Sequence, residues 1–281
     1  ADRPAEVAGR CPVVILSLPG GQISRSVCLD AGGVLEGARR DTILLETSTV
    51  LPEDAETLGA ELAAGGIGFC DAALSASSDM VARGETLAMV GGDPGTLSRV
   101  EPVLRAFCRE VRHVGGHGDG MRAKLVVNYV LAMNRFAMAE GLVLAEKMAL
   151  DLEQMLAVLR SSAAFSTAMN MWGQRMIDHR YTEPISRIRM HNKDAELMLE
   201  LGRRHGAPLF GMAQLNTLVQ VALANGWGES DNSVIIEVLR RAAGIAGEVP
   251  DVTARRSREP WRAPRSPPPA APGGPDTREA G

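Results

Sequence analysis

Gly118-Asp119-Gly120-Met121-Arg122-Ala123-Lys124-Leu125-Val126-Val127-Asn128 decides how this chain is read. Two glycines lead into a helical pattern that is apolar almost all round, and the helix carries one Lys and one Asn a turn apart. Side chains at i and i+4 stand one above the other on the same face. A helix apolar on every side is normally buried. Burying an ammonium beside an amide costs several kcal/mol unless both find partners. A Lys can instead snorkel from a helix end, but the paired Asn and the glycine lead-in point to a site.

Upstream of this stretch, short apolar runs alternate with helical patterns. Pro12-Val13-Val14-Ile15-Leu16-Ser17-Leu18 is a β-branched run closed by Pro19-Gly20-Gly21, as a strand buried on both faces would be. Residues 42–47, 67–71, 86–90 and 110–114 repeat the pattern. Between them lie helical segments such as 53–64, with Pro52 at a first-turn position. Strands alternating with helices of about a dozen residues predict crossover units and a mostly parallel sheet. In such sheets ligands bind at the carboxyl ends of the strands. Three strand ends carry chemistry: Ser17-Leu18-Pro19-Gly20, Glu46-Thr47-Ser48-Thr49, and Asp71-Ala72-Ala73-Leu74-Ser75-Ala76-Ser77. Ser48 and Thr49 read equally well as helix-cap or turn residues.

Downstream the pattern is helical throughout. A long helix is expected from Met121 to about Leu150, then helices over 152–161, 164–178, 192–205, 210–225 and 233–243. Asn225-Gly226-Trp227-Gly228 and His205-Gly206-Ala207-Pro208 punctuate them. The methionines of this half read as core or interface filling. Beyond about Val252 the composition turns to Pro, Arg, Gly and Ala, including Pro267-Pro268-Pro269. It cannot bury a core, and a disordered tail is expected over 251–281.

The formal net charge of −4 argues against nucleic acid or an anionic membrane as the main partner. No apolar run approaches the length that spans a bilayer. The four cysteines are scattered, with no C-x-x-C pair. Reduced thiols in the cytoplasm are expected, and no metal cage is suggested.

The run G-x-G-x-x-x-K-x-x-x-N at 118–128 resembles the catalytic motif of the β-hydroxyacid dehydrogenases, the 3-hydroxyisobutyrate dehydrogenase family. The Leu18-Pro19 turn and the Glu46-x-Ser48-Thr49 segment are similar to the family's cofactor-side loops. Residues 71–77 are similar to its D-A-P-V-S-G-G loop, Lys193-Asp194 to its K-D pair, and 226–233 to its G-x-G-x-x-D-x-S turn. The resemblance implies an α/β Rossmann-type parallel sheet followed by an all-helical domain joined by a long helix. It implies NAD or NADP as cofactor and a small hydroxyacid or oxo acid as substrate, in a homo-oligomer (dimer or tetramer). It implies Lys124 as general acid and base, Asn128 as its partner, and Ser75, Ala76 and Ser77 at the substrate carboxylate. Leu18, Pro19, Thr49 and Lys193 would face the cofactor.

Two departures from the family pattern stand out. The strand, G-x-G-x-x-G turn and helix that hold the dinucleotide pyrophosphate are missing ahead of Ala1, so residues 1–117 read as an incomplete nucleotide-binding domain of a fragment. Residues 118–250 read as the substrate and dimerisation domain. The missing strand would sit beside Val13–Leu18 and leave it as an edge. In the carboxylate loop, Ala76 and Ser77 replace two glycines, with a strain of about 1 kcal/mol expected if either holds a left-handed conformation. The altered loop keeps an imine or short-aldehyde reductase of the same fold open as an alternative. The missing segment keeps open a non-catalytic oligomerisation module.

Overall fold

The computed structural model describes residues 1–245; the Pro/Arg/Gly-rich tail expected over 251–281 lies outside the described residues. The chain opens with α1 (Pro4–Arg10), β1 (Val13–Leu16), α2 (Gly21–Leu29) and α3 (Val34–Gly37). It continues with β2 (Ile43–Glu46), α4 (Pro52–Ala64), β3 (Gly68–Ser75), α5 (Ser78–Ala82), β4 (Thr86–Gly92), α6 (Pro94–Arg105) and β5 (Cys108–Gly115). The five strands form one sheet in chain order, β1-β2-β3-β4-β5. β1, β2 and β3 run parallel, as do β4 and β5, while β3 and β4 are antiparallel. A parallel return needs a crossover of a dozen or more residues, and the segment 76–85 with its five-residue α5 is too short for one. The sheet is therefore mostly parallel, with one reversal that the sequence reading did not separate out.

Each strand is closed by the residues its position demands. All four residues of β2 are buried, which fits a strand covered on both faces. Leu44, Phe69 and Ala73 pack on one face with Ala55, Leu58 and Leu62 of α4, Cys28 of α2 and Met121. Ile43, Leu45, Cys70 and Ala72 pack on the other with Leu97, Val100 and Leu104 of α6. Full burial of each Leu or Ile stabilises by about 1.5–3 kcal/mol relative to exposure. β1 pairs with β2 alone among the described residues, and Ile15 on it is 43 % exposed.

The second half is helical: α7 (Asp119–Lys147), α8 (Leu152–Ser161), a π-helical turn at Met169–Gly173 running into α9 (Gln174–Ile177), α10 (Ile188–Arg204), α11 (Phe210–Ala224) and α12 (Ile235–Ala242). α7 belongs to both halves. Met121 in its first turn is buried in the sheet's core, and Leu125, Ala132, Phe136, Ala139 and Leu142 build the helical core. Among the described residues no helix is long and apolar enough to cross a membrane.

Candidate active site

The start of α7 is fixed by β3. Gly118 takes a left-handed conformation (φ 86°), which only glycine adopts at no steric cost. Gly120 answers a different need: a Cβ there would meet the backbone O of Asp71 at 2.5 Å and of Met89 at 2.7 Å. The Asp71 carboxylate, fully buried, accepts from the N–H groups of Gly118 (2.9 Å) and Met121 (3.0 Å). Burial pushes its pKa up, against the pull of these two bonds. Asp119 Oδ2 accepts from the N–H of Gly116 at 2.8 Å. These donors are committed, so the glycine-rich turn is not an open phosphate cradle.

One turn on, Lys124 is half-buried, and its Nζ donates to the carbonyl O of Leu74 at 2.6 Å. Burial pulls its pKa below the ordinary lysine value; Asp194 opposes that pull and Lys193 adds to it. Asn128 lies on the same face, and its Nδ2 donates to Asp194 Oδ2 at 3.1 Å. Asp194 pairs with Lys193 at 3.3 Å, and Lys193 Nζ donates to the carbonyl O of Thr49 at 2.7 Å. A polar chain thus runs from α7 through α10 to the end of β2. Lys193 and Asp194 do not open a helix as expected. α10 begins at Ile188, and the pair lies in its second turn, half-buried.

The loop after β3 departs from expectation in two ways. β3 extends through Ser75, so residues 71–75, read as a loop, are strand. Ala76 and Ser77 carry no left-handed strain: the described non-glycine residues with positive φ are Ala149 and His179. Ser77 instead N-caps α5 at φ −87°, its Oγ accepting from the N–H of Met80 at 3.4 Å. A capping residue sits in extended backbone, so the side chain costs no strain there.

On the other side, Leu18 N donates to Ser48 Oγ at 2.7 Å, and Ser48 N donates to Glu46 Oε1 at 2.8 Å. Neither Ser48 nor Thr49 caps α4, whose cap position is Leu51. Ser48 instead ties the ends of β1 and β2 together, as does Thr47, whose Oγ1 donates to the carbonyl O of Leu16 at 2.5 Å. Burial raises the Glu46 pKa, with Ser24 and Ser48 opposing.

Ser75, Ala76, Ser77, Lys124 and Asn128 line one cavity of about 450 Å³, within the range of small-molecule sites. Leu18, Pro19, Thr49 and Lys193 are not among its lining residues; they form a second group, joined to the cavity through Asp194. Sequence reasoning missed four buried polar or aromatic residues of the same cavity: Arg135, His191, Trp172 and Asn232. Arg135 had a findable signal, since a charged residue on an apolar helix, eleven positions from Lys124, falls on the same face. The other three come from separate elements and have none.

Leu18 and Pro19 thus follow β1 and Thr49 follows β2, with Lys193 bonded to the Thr49 carbonyl O, and no strand, G-x-G-x-x-G turn and helix unit occurs among the described residues.

Residues 118–239 match the family model described as NAD-binding of NADP-dependent 3-hydroxyisobutyrate dehydrogenase. Residues 1–115 match that of the NAD binding domain of 6-phosphogluconate dehydrogenase. The chain is 30% identical over 254 residues to 3-sulfolactaldehyde reductase of Escherichia coli (strain K12), covering 89% of this chain and 84% of that protein. It is 29% identical over 241 residues to 2-(hydroxymethyl)glutarate dehydrogenase of Eubacterium barkeri, covering 86% and 80%. The crystal structure of 3-hydroxyisobutyrate dehydrogenase from Salmonella typhimurium superimposes with a TM-score of 0.77 at 25% identity, over 84% of this chain and 82% of that one.

Proposed function

The chain belongs to the 3-hydroxyisobutyrate dehydrogenase-like family of NAD(P)-dependent oxidoreductases, and on that premise we propose that it interconverts a small hydroxyacid and its oxo acid at Lys124. The observation that carries the proposal is the convergence of Lys124, Asn128 and the Ser75–Ser77 loop on one cavity. NAD or NADP supplies or accepts the hydride when bound, with Leu18, Pro19, Thr49 and Lys193 toward its nicotinamide end.

Lys124 hydrogen-bonds the reacting oxygen of the substrate. In oxidation its neutral amine takes the hydroxyl proton; in reduction its ammonium returns a proton to the carbonyl oxygen. A positioned acid/base works best when its pKa lies near the working pH, and burial moves Lys124 in that direction. Asn128, anchored on Asp194, orients the amine and the substrate oxygen. Ser75, with the backbone of Ala76 and Ser77, holds the carboxylate.

Residues 1–117 serve the cofactor and 118–250 the substrate and assembly. Val126 and Val130, a turn apart on the outer face of α7, are 61 % and 51 % exposed, and Phe210 is 77 % exposed. Such a surface favours burial against a second copy, which supports a homo-oligomer, dimer or tetramer, measurable by sedimentation. One named relative is a dehydrogenase of a hydroxymethyl acid, which supports the hydroxyacid reading, and the other is an aldehyde reductase, which keeps the short-aldehyde reading second; neither name supports an imine reductase or a non-catalytic module.

The test is NAD(P)H-linked turnover on a panel of hydroxyacids and aldehyde acids, wild type against Lys124→Ala. Turnover lost in the variant supports the proposal; no turnover of any panel member with either cofactor overturns it.

A further inference from the structure

The cavity has a second charged end that this reaction does not use. Arg135 is 4 % exposed and lines it. The described contacts of its guanidinium are a hydrogen bond to His191 Nε2 at 3.2 Å and a stack over the Trp172 ring at 4.9 Å. Burial, with Arg135 adding to it, holds the His191 pKa well below the usual range, so His191 is a neutral acceptor and brings no charge. Asp231 is the carboxylate that acts on Arg135 from nearby. It is already committed to the N–H groups of Ile185 and Ser233, to Ser233 Oγ, and to Arg175 at 3.5 Å. Among the described residues Arg135 has no ion pair within 4 Å. Burial draws its pKa down to about 10, so it stays charged at neutral pH.

Two more buried polar atoms at this end lack a partner: Trp172 Nε1 and Asn232 Oδ1. Both residues are 3 % exposed and line the cavity. A half-turn of the Asn232 amide presents its Nδ2 in place of Oδ1. A buried guanidinium without an anion is costly, and Arg135 lines the cavity with the unpaired polar atoms of Trp172 and Asn232 packed in the same wall, so an anion that enters is the partner this end lacks.

We propose that Arg135, with Trp172 and Asn232, binds a second, distal oxyanion of the substrate, so that the substrate is an acid carrying an additional anionic group at its far end. This rests on the reading of Lys124 as the reacting end. Distance sets the substrate's length. Lys124 and Arg135 are eleven helical residues apart, about 16 Å along the axis. Both side chains lean toward the helix N-terminus, so their head groups keep a comparable separation. Subtracting two hydrogen bonds of about 3 Å each leaves on the order of 10 Å. An extended chain advances about 1.2 Å per bond, so roughly eight bonds separate the two ends. That span rules out Arg135 as the holder of the carboxylate next to the reacting carbon.

The test is calorimetric titration of the full chain, with and without NADP, using suberate against octanoate and succinate against butyrate. Suberate should bind about tenfold or more tightly than octanoate, as a charge-assisted bidentate contact implies, while succinate gains little over butyrate. Arg135→Met should erase the suberate advantage and leave octanoate affinity unchanged. Arg135→Lys, which keeps the charge but loses the planar fork, should retain part of it. Should the Met variant fail to fold, the Lys variant decides: unchanged suberate affinity overturns the proposal. Equal binding of suberate and octanoate by wild type, or an equal gain for succinate, also overturns it, and leaves the Arg135–His191–Trp172 cluster a structural one. Turnover of hydroxyacids together with no suberate advantage over octanoate would sink this proposal and keep the Lys124 reading. An Arg135-dependent suberate advantage without turnover of any hydroxyacid would do the reverse.

Discussion

Lys124 Nζ donates to the carbonyl O of Leu74 at 2.6 Å, which ties the amine of α7 to the end of β3, one residue before Ser75. The bond holds the amine beside the Ser75–Ser77 loop. One bond to a backbone carbonyl leaves the amine further N–H donors for a second partner in the cavity. Lys124→Ala is expected to lower kcat by about 10²–10⁴-fold, the usual contribution of a positioned acid/base. Cofactor affinity should stay within a few fold, because Lys193 and Thr49 hold their own bond. Steady-state kinetics with parallel cofactor titration reads both, and near-wild-type turnover in the variant removes Lys124 from the mechanism.

The lowered Lys124 pKa sets the sign of the pH dependence. Oxidation needs the neutral amine, so its rate should rise with pH and level off at a pKa below the ordinary lysine value of 10.5. Stability should follow the same direction. Between the folded pKa and 10.5 the unfolded chain holds more protons, so this group's destabilising contribution is full below the folded pKa and fades as pH rises through that window. Denaturant titrations across pH should therefore show Lys124→Met gaining most on wild type at neutral pH. A wild-type rate profile that levels off only at or above 10.5 argues against this account.

Asp194 opposes the lowering of the Lys124 pKa. Replacing it with the neutral isostere, Asp194→Asn, should move the rise of the oxidation profile to lower pH. The Asn128 contact can survive through the new amide oxygen. An unmoved profile in this variant would show that Asp194 acts on position alone.

The helix start depends on Asp71 and Gly120 more than on Lys124 and Asn128. Asp71→Ala leaves the N–H groups of Gly118 and Met121 buried without an acceptor, which costs about 1–3 kcal/mol each. Gly120→Ala drives a Cβ into two backbone oxygens at 2.5 and 2.7 Å. Neither can yield as a flexible side chain would, so a loss on the order of 3 kcal/mol or more is expected. Denaturant unfolding checks both, and a variant within about 0.5 kcal/mol of wild type refutes its part.

Burial pushes the thiols of Cys28 and Cys70 up to about 12. Cys28, Cys70 and Cys108 are buried, while Cys11 is partly exposed. The thiolate is the reactive form, so iodoacetamide at mildly alkaline pH should label Cys11 first and reach the other three only on unfolding. Peptide mass mapping before and after denaturant reads the order. Early labelling of Cys70 would mean that the β3–β4 region opens locally.

The amino-acid sequence by itself determined the elements and the Lys124–Asn128 pair that lines the cavity. The β-branched runs became β1 to β5, and the uncapped apolar helix after Gly118 became α7, because period and glycine placement are local properties of the chain. The Lys124–Asn128 pairing is likewise local, since four residues of helix suffice to put both on one face. Tertiary structure decided everything that depends on what lies opposite. The reversal between β3 and β4, the capping role of Ser77, and the seat of Lys193–Asp194 in the second turn of α10 follow from packing. Asp71 as the anchor of α7 follows from a strand meeting a helix start 47 residues away in the chain. Arg135 is the clearest instance: eleven residues from Lys124 it shares the face that the sequence already marked. Its burial against Trp172 and His191, without an ion pair among the described residues, exists only once α7, the π-helical turn and α10 close around one cavity.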